Sequence, residues 1–385
     1  MAVERLHSHD YEDLLDFIDQ VFSQDLIRVH FQEDLPMLFG PDEAHMQMQY
    51  AYRDESGKIR AVIGVIPYTY QIGEETFSAR TITNVATHYR HTGKGYMQAI
   101  FRQVFADMEA EGVDFAVLHG NRERYRHMGF EMAGTCDVAE FQSYNIPNRK
   151  KRGETYPFTF RKLEADQPQS IRRCLELFNR EGQHYVRKEE NFLLFHGLWE
   201  GVAYEVFDAQ GAFCGYLNYC CRFGQAIREL LLTCPQNAAS VIYSFMLAQN
   251  LDSVQVCLSP FDPELNRAVY EAAEYVSNGQ TTRLNLLRPE RFLRACLELK
   301  RVSGAYMPEG SIVIESRFGK LRITNRDGFT VEKTDDPADL QVPDDQIYGL
   351  FFGTQPRVFS PWSRQLGVLS AWFPMPFYIH NTDLY

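Results

Sequence analysis

The chain has 385 residues, 45% hydrophobic and 23% charged, with a formal net charge of −12. Such a length exceeds what one hydrophobic core normally covers, so two or three domains of an ordinary soluble protein are expected. The acidic balance argues against a nucleic-acid partner, and no run approaches the ~18 consecutive apolar residues of a membrane span.

The N-terminus passes into polar residues without the apolar core of a signal peptide. Asp10 is placed to cap a helix whose stripe is Leu14, Leu15, Ile18, Val21 and Phe22. Strands are predicted over 46–52, 60–71 and 76–87, with Gly57 and Gly73 at the turns. The third strand runs into Arg90-His-Thr-Gly-Lys-Gly-Tyr96, a glycine-bearing turn that opens a helix with Met97, Ile100, Phe101, Val104, Phe105 and Met108 on one face. Gly112 ends that helix, a strand over 114–118 follows, and His119-Gly-Asn121 leads to Tyr125-Arg-His-Met-Gly-Phe130. Helix N-termini present unpaired N–H groups and a positive dipole end, and glycines let the backbone approach an anion closely. A dinucleotide fingerprint would need a third glycine where Gln98 stands, and a P-loop would need Ser or Thr after Gly-Lys.

From residue 159 the same order returns: strand, two helices, three strands, a helix over 239–249, a strand over 253–258 and a helix over 264–272. A repeat at about 150 residues points to duplication rather than a solenoid. The second strand-to-helix junction, Leu232-Thr-Cys-Pro-Gln-Asn-Ala-Ala239, has no glycine, so this half is expected to keep the fold without the anion site. Between the halves, the basic run Arg149–Arg152 reads as a solvated linker. After Arg288-Pro289 come a helix, short strands over 311–316, 321–325 and 329–333, and an aromatic tail that is expected to dock on another part of the chain. The eight cysteines are scattered without a Cys-x-x-Cys pair, which suits buried free thiols of a reducing compartment and a cytoplasmic protein.

The Arg90–Gly95 loop resembles the Arg-x-x-Gly-x-Gly/Ala signature by which the GNAT superfamily of N-acetyltransferases holds the pyrophosphate of acetyl-CoA. The Tyr125–Phe130 stretch resembles that fold's second signature. Element order along nearly the whole chain is similar to the enhanced intracellular survival (Eis) family. The resemblance implies an α/β (α+β) fold of tandem GNAT (acyl-CoA N-acyltransferase) domains followed by a small sterol-carrier-like domain: 1–150 active, 155–287 degenerate, 288–385 sterol-carrier-like. It also implies an acetyl-CoA-dependent N-acetyltransferase, a homo-oligomer such as the family's hexamer, and a permissive acceptor cavity for an aminoglycoside, polyamine, small amine or protein lysine.

On that resemblance Val85, Ala86 and Thr87 offer backbone groups to the acyl-pantetheine arm. Arg90, His91, Thr92, Gly93, Lys94, Gly95 and Tyr96 hold the diphosphate, and Asn121 reaches the cofactor from the next strand. Tyr125 matches the family's general acid; a phenol of pKa ~10 holds its proton at neutral pH. The family's base is its own terminal carboxylate, which here is Tyr385, with Glu33, Asp34, His119 or no dedicated base as alternatives. His88 and His91 lie three apart but lack further nearby ligands, so no metal is expected. A non-catalytic acyl-CoA or ligand-binding protein is the alternative function, and a structural role in an assembly the third.

Overall fold

In the computed structural model, which describes residues 2–23, 30–222, 224–279, 282–353 and 361–384, nineteen strands form three sheets. The first strands are β1 (Ala2–Arg5), β2 (Gln49–Arg53), β3 (Ile59–Ile72), β4 (Glu75–Thr87), β5 (Phe115–Leu118), β6 (Glu131–Ala133) and β7 (Cys136–Gln142). Next come β8 (Thr159–Lys162), β9 (Gln183–Tyr185), β10 (Val202–Phe207), β11 (Phe213–Cys220), β12 (Ala226–Leu232), β13 (Ser253–Leu258), β14 (Tyr275–Gly279) and β15 (Thr282–Leu286). The last are β16 (Gly310–Ser316), β17 (Gly319–Asn325), β18 (Phe329–Lys333) and β19 (Leu340–Gln341).

The first sheet runs β1-β2-β3-β4-β5-β15-β6, with β9 on the far half of β3. β4 and β5 are parallel, which requires a crossover, and the Tyr96–Ala110 helix supplies it. That helix buries Ile100, Phe101, Val104 and Met108 against one face of the sheet. The second sheet runs β14-β7-β13-β12-β11-β10-β8 and repeats the pattern: β12 and β13 are parallel and the Ala238–Gln249 helix crosses between them.

The two sheets exchange a strand. β7, at the end of the first stretch, inserts between β13 and β14, and β15, at the end of the second, inserts between β5 and β6. The expected divisions at 150/155 and 287/288 therefore do not follow the sheets. Alternating apolar residues declare that a strand is half-buried but not which sheet receives it. The basic run corrects another expectation. It ends a helix, Ile146–Lys151, and Arg149 reaches Glu154 at 2.7 Å and lies 5.1 Å over the Tyr243 ring, while Lys150, Lys151 and Arg152 are exposed. Asp10 does precede the Tyr11–Phe22 helix, yet its carboxylate bonds Arg53 at 2.5 Å and the His7 N–H at 3.0 Å instead of capping.

The third sheet, β18-β17-β16-β19, carries the Pro289–Val302 helix, and a further helix, Ile347–Phe352, packs on edge strand β6. The face of the first sheet away from the Tyr96–Ala110 helix shares one core with these helices and the tail. Phe292 sits at 5.5 Å from Phe77, 5.0 Å from Phe115 and 5.6 Å from Phe377, ring to ring. The tail docks as its composition suggests: Trp372 is fully buried and donates its indole N–H to the Pro308 carbonyl at 3.0 Å. The eight cysteines are free; Cys136, Cys174, Cys220, Cys257 and Cys296 are buried, and Cys221 and Cys234 are exposed. Among the described residues no helix is long and apolar enough to cross a membrane.

Candidate active site

Strands β4 and β5 pair from Ala79↔Phe115 to Ile82↔Leu118 and then part, because β5 stops while β4 continues to Thr87. Just beyond the last pair β4 carries a bulge. Thr83 faces Gly64 and Ala86 faces Val62, so Asn84 and Val85 together oppose Ile63 alone. Asn84 takes φ +50°, a left-handed conformation that Asn tolerates better than most side chains. Its amide nitrogen is 3.4 Å from Gln49 Oε1, and Gln49 in turn donates to the Leu38 carbonyl at 3.3 Å. The bulge bends β4 away from β5 and opens a wedge between parallel strands. Three buried polar atoms around it have no protein partner: Asn84 Oδ1, Thr87 Oγ1 and His119 Nε2. Such atoms are costly unless something polar meets them. Val85, Ala86 and Thr87 line the β4 side of the wedge, with Ala86 buried and its neighbours half-buried.

Past the wedge the chain makes a 3-10 turn, Tyr89–His91, and enters the long helix. Gly93 and Gly95 both take φ +78°, which a side chain would strain, and Gly95 is the residue that caps the helix. Two N–H groups expected at the anion are already engaged: that of Arg90 by His88 Nδ1 at 3.1 Å and that of His91 by the His88 carbonyl at 2.8 Å. Among the described residues no turn, loop or side-chain bond takes up an N–H from Thr92 to Tyr96, so the N–H groups open to an anion are those of this shorter run. Arg90 and Lys94 are exposed beside it, and burial and neighbouring cations hold the His88 and His91 imidazoles below their ordinary pKa. Tyr96 stacks on Tyr52 at 4.1 Å, which fixes the helix start on the sheet.

On the β5 side, Asn121 caps the Arg122–Arg126 helix, its amide oxygen accepting the Glu123 N–H at 2.9 Å. The cap engages that oxygen and leaves the amide nitrogen as the free end of the side chain. Tyr125 is buried in that helix, with its ring 6.2 Å from that of Phe101. Gly120 stands under the ring: a Cβ there would lie 2.6 Å from Tyr125 Cε2. Burial raises the Tyr125 phenol above its ordinary pKa, so it is protonated at neutral pH. His119 keeps some exposure as a residue, but its Nε2 is out of solvent reach; burial, helped by Arg283, lowers its pKa to about 4.

The other base candidates fare differently. Glu33 is exposed, and Asp34 is buried in an ion pair with Arg222 at 2.8 Å while accepting the His30 N–H at 2.7 Å. Tyr385 lies outside the described residues. Sequence reasoning gives no role to Asn84 or Gly120. The signal available for the first is an asparagine within a β-branched strand just before the glycine loop.

Residues 2–133 match a family model described as an acetyltransferase (GNAT) domain. No curated protein matches the sequence. Among solved structures, the chain is similar to a conserved Enterococcus faecalis protein described as a probable N-acyltransferase, with a TM-score of 0.73, 16% identity, and coverage of 100% of this chain and 99% of the other. A GCN5-related N-acetyltransferase from Kribbella flavida gives 0.69, 17%, 100% and 98% for the same quantities. Eis1 from Mycobacterium abscessus gives 0.63, 15%, 100% and 100%. At these identities the likeness carries the fold. The protein thus has a GNAT-type α/β fold, and its N-terminal stretch is the part that matches the acetyltransferase (GNAT) domain model.

Proposed function

We propose that the protein is an N-acetyltransferase that moves the acetyl group of acetyl-CoA to a primary amine. The observation that carries this reading is the bulged wedge between β4 and β5, followed on the β4 side by the N–H groups of Thr92–Tyr96 and on the β5 side by the buried phenol of Tyr125. The orphaned polar atoms of Asn84, Thr87 and His119 suit an amide-bearing pantetheine arm, and the Gly93–Gly95 turn suits a diphosphate. Acetyl-CoA supplies the activated acyl group and a thiol leaving group. Tyr125 is the general acid that gives its proton to the departing thiolate, its ring packed on Gly120 and beside Phe101. Tyr385 keeps its candidacy as base from the family resemblance, and His119, its pKa lowered to about 4, is a weaker alternative.

The second sheet, with its repeated order, reads as a degenerate GNAT-type unit. The third unit reads as a sterol-carrier-like cap. Its groove mixes charged side chains such as Arg322 and Glu332 with Phe329, Thr324 and Thr330. With the family resemblance go a cytoplasmic homo-oligomer, an acceptor among aminoglycosides, polyamines, small amines or protein lysines, and no metal. The test is an amine panel assayed with acetyl-CoA, using Tyr125→Phe as control. Acetylation of at least one amine, cut strongly in the variant, supports the reading; no acetylation, or full activity in Tyr125→Phe, contradicts it.

A further inference from the structure

The second sheet has a wedge of its own. β12 and β13 pair only at Ala226↔Gln255 and Ile227↔Val256, then part. β12 also carries a bulge at that point: Ile227 faces Tyr219 and Glu229 faces Asn218, leaving Arg228 extra. The residue after the bulge is Ala86 in the first sheet and Glu229 in the second. A carboxylate at that position, Pro235 without an N–H in the following turn, and a helix entry at Asn237 with φ −82° remove each feature that suits the first wedge to a diphosphate-bearing ligand.

What meets this wedge is the chain's own C-terminal segment. On the β13 side, Asn381 Nδ2 donates to Cys257 Sγ at 3.0 Å, and Tyr378 packs with Cys136 and Cys257. On the β12 side, Thr382 Oγ1 donates to Glu229, and His380 Nδ1 lies 3.7 Å from the same carboxylate. Arg187 completes the clasp: it grips Glu229 through two bonds of 3.1 and 2.9 Å and donates to Thr382 Oγ1 and Asp383 Oδ1, both at 2.7 Å. Its guanidinium lies 3.8 Å over the Phe178 ring, and Tyr216 donates to Glu229 at 2.6 Å. Arg187, Glu229, Thr382 and Asp383 are all at most 2% exposed, so the network is closed to water.

We infer that the second wedge has become a receptor for residues 378–383, a peptide site in place of a cofactor site, with Arg187 as its clasp. The tail so held runs on to Leu384, whose carbonyl accepts from Trp199 Nε1 at 3.4 Å and whose side chain packs against the large apolar core shared with the first sheet. The second sheet thereby fixes where the tail meets the first. This inference rests on the second sheet being a GNAT-type unit, but not on acetyl transfer.

The test is amide exchange of residues 376–384 in the full-length protein, read by mass spectrometry, for wild type and for Thr382→Val/Asp383→Asn. That pair removes the hydroxyl and the charge that the tail offers to Glu229 and Arg187, and leaves Arg187 on Glu229. The expected result is strong protection in wild type, unchanged by saturating acetyl-CoA. It falls at least tenfold in the variant, while the Tyr96–Ala110 helix exchanges as before. A second arm adds a synthetic 376–385 peptide to the variant; slower exchange of that peptide than when free is expected. A tail that exchanges as a free peptide in wild type, equal protection in the variant, or displacement of the tail by acetyl-CoA would overturn the inference. Absence of acetyl transfer would leave all of these outcomes readable.

Discussion

Tyr125 is held by two contacts that its hydroxyl does not make, the Gly120 backbone beneath the ring and Phe101 beside it. Tyr125→Phe therefore keeps the packing and removes only the hydroxyl. If the phenol is the acid, kcat falls roughly 10²- to 10⁴-fold with acetyl-CoA affinity retained, measurable by steady-state kinetics beside calorimetry. His119 makes a second prediction at this scale. An unfolded histidine titrates near 6.5 and this one near 4, so the neutral ring's contribution is fully present above pH 6.5. It is lost as pH falls, by about 2 kcal/mol at pH 5 and roughly 3 kcal/mol near pH 4. His196 and His380, pushed down to about 3 by burial, act in the same direction. Urea denaturation at pH 7.5 and pH 5 should show the loss, and His119→Asn should reduce it. The glycine turn and Tyr125 are legible in the sequence because each is a residue type with few alternative uses at that spacing. The Asn121 cap and the engaged Arg90 and His91 N–H groups are not, since they depend on which partner the backbone finds locally.

The wedge is a property of elements rather than residues: two parallel strands of unequal length and one extra residue on the longer. Strand positions are legible in the apolar alternation, and β4 is predicted to within a residue. The bulge is not, because a single unpaired residue leaves the period of two intact on either side. Reciprocal exchange of β7 and β15 is less legible still, since each is a short strand that would fit either sheet. It carries a third prediction. A fragment of residues 1–150 lacks β15, leaving β5 and β6 without the strand that joins them, so it should fail to give dispersed amide resonances when expressed alone. A well-folded fragment would show that the exchange is dispensable. Tail packing gives a fourth: Trp372→Ala removes a fully buried indole and its bond to Pro308, and should cost about 3–5 kcal/mol by chemical denaturation.

Across the whole molecule, the exchanged strands, β9 on the first sheet, the Ile347–Phe352 helix on β6 and the tail on β12 tie all three sheets together. A chain that reads from its sequence as three successive domains is thus stitched at each boundary, and one cooperative unfolding transition is expected in place of three. The halves share an architecture but differ at the point that decides ligand chemistry. The first has Ala86, free N–H groups and two glycines in left-handed conformation; the second has Glu229, Pro235 and the clasped tail. If the proposed function holds, that asymmetry predicts one acetyl-CoA per chain. The direct measurement is calorimetric titration of acetyl-CoA into wild type and Gly95→Glu, a substitution that strains the φ +78° cap and puts a carboxylate at the anion cradle. Micromolar binding at one site per chain, abolished in the variant, is the predicted result. No binding by wild type, two sites per chain, or unchanged binding by Gly95→Glu would contradict it.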